Sequence, residues 1–236
     1  MAKYAKPKKK SQASKKQSLT PWLIGAGVLF VVLIVVTVLL SGPTSSASIE
    51  PPDVDEGYIN RTTLGDPDAP VTVEAWEDFL CPACGDWARE IEPKLIADYV
   101  ESGDVKLEFH QFPLQMHAPG AQMGAQASEC AADQNMFWPY HDRLFAEAAS
   151  RGQAGFQLER LVDYANDLEM DEGIFRQCMI SQEHRAAVDA SVNQAVQMGL
   201  NSTPSILVNG QLMEPFNYNA IQAAIDSELA AAGSGG

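Results

Sequence analysis

The sequence predicts an α/β fold with an all-helical insertion, preceded by one transmembrane helix, and three observations support this prediction. A strand, a helix and a second strand follow one another over residues 71–111. A long stretch with a helical pattern, at about 118–200, separates this unit from a third strand and a hairpin. An apolar run at residues 22–40 precedes all of them. The strand–helix–strand order implies a right-handed parallel connection, with the functional site at the carboxyl end of the first strand.

The first 40 residues carry the signals of a membrane anchor. Seven lysines and no acidic residue lie in residues 1–20, and nineteen uncharged residues run from Trp22 to Leu40. This run is long enough to cross a bilayer as a helix, and lysines on one side only place the N-terminus in the cytoplasm. The alternative is a cleaved signal peptide, with small residues at 45–47 as the cleavage site, although the run exceeds the roughly 7–15 apolar residues of such a signal. Both interpretations export the rest of the chain.

The predicted organisation is a basic cytoplasmic tail at 1–20, an anchor at 21–40, a linker at 41–57 and one exported domain at 58–231. The linker is small, polar and proline-rich, as is typical of a tether. All 31 acidic residues lie from Glu50 onward, against nine lysines and arginines, so this part carries a formal charge of −22. Such a charge repels nucleic acid and anionic lipid, and neither is an expected partner of the domain.

Two cysteines two residues apart form the candidate reactive centre, in the motif Cys81-Pro82-Ala83-Cys84. The motif lies between an expected strand and an expected helix. A thiol at a helix N-terminus is stabilised as the thiolate by the macrodipole and by unpaired backbone N–H groups. Pro82 suits the first helical turn, where its missing N–H is no loss. We therefore expect Cys81 to be the nucleophile and Cys84 to be its resolving partner.

The other elements of the domain are predicted from hydrophobic period and turn signals. Residues 71–76 and 105–111 are expected strands, and a helix is expected over 81–101 with a kink at Pro93. After the helical stretch, the prediction is a third strand at 205–208, an Asn209-Gly210 hairpin, a return strand at 211–213 and a last helix at 217–231.

A Cys-Pro-x-Cys motif at a strand-to-helix junction, a helical insertion, and Thr203-Pro204 before a strand–Asn-Gly–strand hairpin resemble the thioredoxin fold. The insertion, the form of the motif and the run from Phe137 to Phe145 are similar to the DsbA type of exported disulfide oxidoreductase. The resemblance covers residues 58–231. It implies a mixed central sheet, a cis-proline at Pro204 facing the dithiol, and a Thr203 that contacts Cys81 and offers backbone groups to an extended substrate. The alternative for Thr203-Pro204 is an ordinary trans turn.

Two residues depart from the pattern of this family. Members often carry a glutamate six positions before the first cysteine, where this chain has Ala75. Glu77 or Asp78 is then the candidate for handling protons during thiol exchange. Strongly oxidising members carry a histidine at the position of Ala83, where it stabilises the thiolate of Cys81. Its absence predicts a less extreme reduction potential.

Cys130 and Cys178 bring the cysteine count to four, and an even count in an exported domain favours a structural disulfide between them. The alternatives are two free buried thiols or a second redox pair. Zinc is not expected, because the chain has one Cys-x-x-Cys, two isolated cysteines and no close histidine pair. The histidines are expected in the core or on the surface, with His117 in a loop that could approach the site: His110, His117, His141 and His184.

The sequence therefore predicts a membrane-tethered, extracytoplasmic thiol:disulfide oxidoreductase that introduces disulfides into exported proteins and needs no metal or organic cofactor. Reduced exported polypeptides are the expected substrates, a monomer is expected, and the resemblance implies a membrane reoxidant of the DsbB or VKOR type. The alternatives are a reductase or isomerase using the same dithiol, or a non-catalytic thioredoxin-fold chaperone. A dimeric isomerase is disfavoured, since residues 41–57 are too short to form a dimerisation domain. The expected substrate-binding residues are Trp76, Phe79, Pro82, Ala83 and Thr203.

Overall fold

A six-stranded mixed sheet forms the centre of the domain in the computed structural model, which describes residues 59–214 and 217–233. The strands are β1 (Ile59–Asn60), β2 (Thr63–Leu64), β3 (Val71–Glu77), β4 (Val105–Gln111), β5 (Ser205–Val208) and β6 (Gln211–Leu212). Their order is β1-β2-β4-β3-β5-β6; β3 and β4 are parallel, and each other neighbouring pair is antiparallel. The prediction of an α/β fold with a mixed sheet is confirmed.

The parallel pair β3–β4 forms the middle of the sheet and ends beside the dithiol. β4 buries every second residue, whereas the last three residues of β3 are all buried, and Ala75 of β3 lies opposite Phe109 of β4. β3 ends at Glu77, so Cys81 follows within one short turn at the carboxyl end of the strand. The short strands β1 and β2 are not predicted from the sequence, because two residues each are too few to show an alternating pattern.

The helix predicted over residues 81–101 is divided into three segments. These are α1 (Pro82–Glu90), α2 (Glu92–Leu95) and a π-helical turn at Ile96–Val100. Pro93 lies in the first turn of α2, where its missing N–H is tolerated and where it cannot continue the hydrogen bonds of α1. The proline therefore ends one helix and starts another, which is a stronger effect than the predicted kink.

The predicted insertion between β4 and β5 is helical throughout. Its helices are α3 (Gly120–Ala132), α4 (Phe137–Arg151), α5 (Leu158–Asp167), α6 (Glu172–Ser181) and α7 (Arg185–Gln197), with single 3₁₀ segments at Gln115–His117 and Gly152–Phe156. A last helix, α8 (Tyr218–Gly233), follows the β5–β6 hairpin.

A cluster of buried rings joins the insertion to the sheet. Phe79 stacks on Phe109 with 5.3 Å between ring centroids and meets Phe145 of α4 at 5.0 Å. His141 of α4 lies among these rings, 4.8 Å from Phe145 and 5.9 Å from Phe137. Such aromatic pairs add to the burial of apolar area in holding two layers together. A titratable side chain is thereby fixed in the apolar core behind the dithiol.

The predicted N-terminal segments at 1–20, 21–40 and 41–57 lie outside the described residues. Among the helices of residues 59–214 and 217–233, none combines the length and the apolar character that a membrane span requires.

Candidate active site

Cys81 occupies the N-terminal end of α1. Its backbone is extended (φ −79°, ψ 120°), and Pro82 fills the first helical position. The N–H of Gly85 donates to the Cys81 carbonyl oxygen at 3.1 Å, which closes the first turn. The residue Cys81 is 9% exposed, whereas Cys84, one turn further along, is fully buried. Of the two sulfurs, only that of Cys81 can be reached by another chain.

The two cysteines have opposite acidities. The pKa of Cys81 is lowered to about 5, first by a hydrogen bond from the thiol of Cys84 and further by Thr203 and the backbone around Ala83. The pKa of Cys84 is raised well above its ordinary value, first by burial and then by its contact with Cys81 and by Glu77. Since the thiolate is the nucleophilic form, these acidities favour Cys81 as the nucleophile and Cys84 as the thiol that resolves it, and both roles stay predictions.

Thr203 and Pro204 form the wall opposite the dithiol. The peptide bond between them is cis. The Sγ of Cys81 lies 3.3 Å from the carbonyl oxygen of Thr203. The Oγ1 of Thr203 is buried without another hydrogen-bond partner in the described part of the chain, so it is free to donate to the Cys81 thiolate. Both residues are held in place by β5, which starts at Ser205 and pairs with Trp76 of β3.

Glu77 is the acidic group beneath the dithiol. Its side chain is fully buried and it lies two residues beyond Ala75, on the same face of β3. Burial raises the pKa of Glu77 well above its ordinary value, and the nearby Glu92 and Cys81 raise it further. Where family members often carry a glutamate six residues before the first cysteine, this chain thus has a buried one four residues before it. The period of two along a strand places it on the same face as Ala75, and its part in proton transfer stays a prediction.

Asp78, the other acidic candidate, is engaged in hydrogen bonds that hold the loop, and its role in proton transfer stays a prediction. Its carboxylate accepts hydrogen bonds from the backbone N–H of Leu80 at 2.7 Å and of Leu114 at 2.8 Å. It also lies 2.7 Å from Nδ1 of His117, which is how this histidine approaches the site. The backbone N–H of Asp78 points at the Sγ of Cys84, 3.5 Å away. Asp78 therefore fixes the loop in which Cys84 is buried.

Glu92 and His141 belong to the site and were missed in the sequence. One carboxyl oxygen each of Glu77 and Glu92 and one ring nitrogen of His141 all lie within 4.8 Å of one another, and the indole N–H of Trp87 in α1 lowers the pKa of both carboxyl groups against the effect of burial. The three residues come from β3, α2 and α4. No local pattern signals that these elements meet at one point.

The predicted substrate-binding residues divide into an accessible and a buried group. Pro82 is exposed, and Ala83 and Thr203 are half-buried, so these three line the surface around Cys81. Trp76 is fully buried with its ring 4.2 Å from that of His110, and Phe79 is buried in the ring cluster. Trp76 and Phe79 therefore support the site from below, and a direct contact of theirs with substrate stays a prediction.

Cys130 and Cys178 are joined by a disulfide with a Cα–Cα distance of 6.0 Å. The bond links α3 to α6 inside the insertion, and both residues are buried. Cys81 and Cys84 are free thiols. The structure thus keeps the redox-active pair separate from the pair that cross-links the insertion.

Comparisons with known proteins agree with this geometry. Residues 59–227 match the family model described as Thioredoxin. A probable disulfide bond formation protein D of Bacillus anthracis is 30% identical over 176 residues, which are 73% of this chain and 80% of the relative. The Na(+)/H(+) antiporter NhaA 3 of Salinispora tropica is 34% identical over 187 residues, but the match covers only 27% of the antiporter. The crystal structure of oxidised BdbD from Bacillus subtilis is similar with a TM-score of 0.67 at 28% identity, covering 72% of this chain and 94% of that one.

Proposed function

The chain belongs to the thioredoxin family and is a thiol:disulfide oxidoreductase of the DsbA type, and from this premise we propose that it introduces disulfides into exported proteins while tethered to the membrane. The observation that carries the proposal is the opposite acidity of Cys81 and Cys84. A thiolate with a low pKa stabilises the reduced pair, which makes the disulfide the better oxidant. This favours donation of the disulfide to a substrate over its reduction.

The first step of the proposed reaction is attack by a substrate thiolate on Sγ of Cys81. The Cys81–Cys84 bond breaks, a mixed disulfide forms between substrate and Cys81, and Cys84 leaves as a thiolate. Because Cys84 is fully buried and its pKa is raised, this thiolate takes up a proton at once. Glu77, which acts electrostatically on Cys84 and is itself held protonated by burial, is the donor.

In the second step, a second substrate thiolate attacks the substrate sulfur of the mixed disulfide. Cys81 leaves as a thiolate, the form favoured by its pKa of about 5. The substrate has lost two electrons and the Cys81–Cys84 pair has gained them. Thr203 positions the extended substrate beside Cys81, because its carbonyl oxygen lies at the sulfur and its side chain is half-exposed.

The proposed location is the outer face of a membrane, with the catalytic domain extracytoplasmic and the N-terminus cytoplasmic. The uncharged run at 22–40 with lysines on one side supports the tether. The Cys130–Cys178 disulfide supports an oxidising compartment, since such bonds persist outside the cytoplasm. A membrane partner of the DsbB or VKOR kind would reoxidise the pair, and no metal or organic cofactor takes part in the exchange steps.

The test combines two substitutions with a reduction potential. We expect Cys81→Ser to abolish oxidation of a reduced peptide, and Cys84→Ser to accumulate a mixed disulfide with it. The Cys81–Cys84 potential should lie nearer to about −120 mV than to the roughly −270 mV of a reductant such as thioredoxin. A potential at the reducing end would favour the reductase instead. Full activity of either variant would refute the roles of the two cysteines.

A further inference from the structure

Three buried titratable side chains meet beneath the dithiol. Glu77 and His141 are fully buried, Glu92 is 3% exposed, and their oxygen and nitrogen atoms lie within 4.8 Å of one another. The Nε2 of His141 lies 4.0 Å from Oε2 of Glu92. They come from β3 of the sheet, from α2 and from α4 of the insertion, so the cluster joins these three elements next to the site.

Four polar atoms that face one another in this cluster have no close hydrogen-bond acceptor or donor among the described residues: both carboxyl oxygens of Glu77, Oε2 of Glu92 and Nε2 of His141. The neighbouring donor is the buried indole N–H of Trp87, which lowers the pKa of both carboxyl groups against the effect of burial. Buried polar atoms are almost always paired, and two carboxylates this close cannot both be ionised. Protons shared among the three side chains satisfy both conditions.

The cluster reaches the dithiol at one end and solvent at the other. At the inner end, Glu77 acts electrostatically on both Cys81 and Cys84. At the outer end, Nδ1 of His141 lies 2.9 Å from Oδ1 of Asp142, whose side chain is 20% exposed. A fully buried Cys84, covered further by the substrate in a mixed disulfide, has no direct route to solvent. A proton that leaves or reaches its sulfur needs an internal path.

We propose that Glu92, His141 and Asp142 extend Glu77 into a proton path that connects the Cys84 sulfur with solvent. The inference rests on the proposed thiol exchange. When Cys84 leaves as a thiolate, Glu77 gives it a proton, Glu92 reprotonates Glu77, and His141 reprotonates Glu92 and draws its own proton from solvent at Asp142. During reoxidation each transfer runs in reverse, so that the Cys84 thiol loses its proton to Glu77. No electrons move along the path.

The acidities of the cluster suit such transfers. Burial raises the pKa of Glu92 to about 7, with Asp142 adding to the effect and His141 opposing it. The pKa of His141 is raised by Glu92 and Asp142 against the effect of its burial. Groups that exchange protons efficiently have pKa values near the working pH. The charged or titratable groups facing the cluster are Cys81 and Cys84 from α1 and Asp142 from α4.

Kinetics of the whole chain test the path. The reduced protein is mixed with oxidised glutathione, and attack of Cys84 on the Cys81–glutathione disulfide is followed against pH. We expect His141→Phe and Glu92→Gln each to slow this step about 100-fold near neutral pH, with the rate recovering as pH rises. The formation of the mixed disulfide at Cys81 should stay unchanged. An unaltered pH profile in both variants would overturn the proposal.

The variants are chosen to preserve the fold. A phenylalanine at 141 matches the ring cluster of Phe79, Phe109 and Phe145 around it. The matched control is Glu147→Gln, on the same helix, because Glu147 pairs with arginines on the surface and not with the cluster. It should leave the rate of the Cys84 step as in the unmodified chain, and an equal slowing in this control would count against the path.

An infrared difference spectrum between oxidised and reduced protein gives a readout independent of activity. Reduction of the dithiol should shift the band of a protonated carboxyl group, and Glu77→Gln and Glu92→Gln should each alter that shift. A response of this band without oxidation of substrate peptides would refute the proposed function and leave the path standing. A carboxyl band that does not change when the dithiol is reduced would refute the path. Stoichiometric binding of zinc by the unmodified chain that is lost in His141→Phe would refute it as well.

Discussion

The Sγ of Cys81 lies 3.3 Å from the carbonyl oxygen of Thr203, so the thiol at the start of α1 and a residue of the segment that leads into β5 lie side by side. The hydroxyl of the same threonine contributes to the low pKa of the thiol. In the proposed mechanism, one residue thus positions a substrate chain through its backbone and lowers the pKa of the reacting sulfur through its side chain. These two roles separate on substitution, because valine keeps the shape of threonine and removes only the hydroxyl.

Thr203→Val should raise the pKa of Cys81. A hydrogen bond to a charged group is worth ~1.5–3 kcal/mol, and one pKa unit corresponds to ~1.36 kcal/mol. The pKa of Cys81 should therefore rise from about 5 to between about 6 and 7. Ultraviolet absorbance of the thiolate as a function of pH measures it. Thr203→Ser, which keeps the hydroxyl, is the control, and equal values for the two variants would remove Thr203 from the acidity of Cys81.

Ala83→His should make the disulfide more oxidising. Ala83 is half-buried next to Cys81, and its backbone already helps to lower the pKa of the thiol. A protonated imidazole at this position would add a positive charge beside the thiolate and stabilise the reduced pair. Each tenfold change in the exchange equilibrium corresponds to ~30 mV, so we expect a rise of some tens of millivolts, about 30–60 mV. Equilibration with glutathione measures it, and Ala83→Gln controls for side-chain size. A fall in potential would contradict the role given to charge.

The reduced protein should gain stability from Cys81 as pH rises. Its pKa is about 5 in the folded state and near the ordinary value of 9.0 in the unfolded chain. The contribution of the thiolate is therefore complete above about pH 9 and is lost as pH falls through 5. Since the thiol is partly exposed and screened, we expect about 2 kcal/mol, well below the ~5 kcal/mol of the full shift. Urea unfolding of the reduced chain and of Cys81→Ser measures the difference between their free energies of unfolding. This difference would not change with pH if the fold did not stabilise the thiolate.

Removal of the Cys130–Cys178 disulfide should destabilise the insertion while leaving the dithiol chemistry intact. The bond closes a loop of 48 residues, for which chain entropy predicts about 4 kcal/mol. The paired variant Cys130→Ala/Cys178→Ala should lose about this much free energy of unfolding, as measured by denaturant titration. The Cys81–Cys84 potential should not change. A shift in that potential would instead indicate that the two pairs exchange electrons.

Prediction from the sequence succeeds where a pattern is local. The Cys81–Cys84 spacing, the hairpin signal after β5 and the helical period of the insertion each span a few residues, and the structure has the corresponding elements. It is incomplete where an element is very short, as in β1 and β2. It also underestimates the effect of Pro93 on the predicted helix. Proline has no N–H to donate the hydrogen bond that would continue α1, so the helix is divided there.

The sequence by itself determines the reactive chemistry: a thiol pair at a helix N-terminus, with the two cysteines assigned different roles by their order along the chain. Only the tertiary structure decides what surrounds that pair. Glu77 is placed beneath the dithiol by the pleat of β3, but Glu92 and His141 join it because two helices far apart in the sequence bring their side chains to the same point. Low local dielectric and mutual proximity then set their acidities, and both depend on packing between residues distant in the chain.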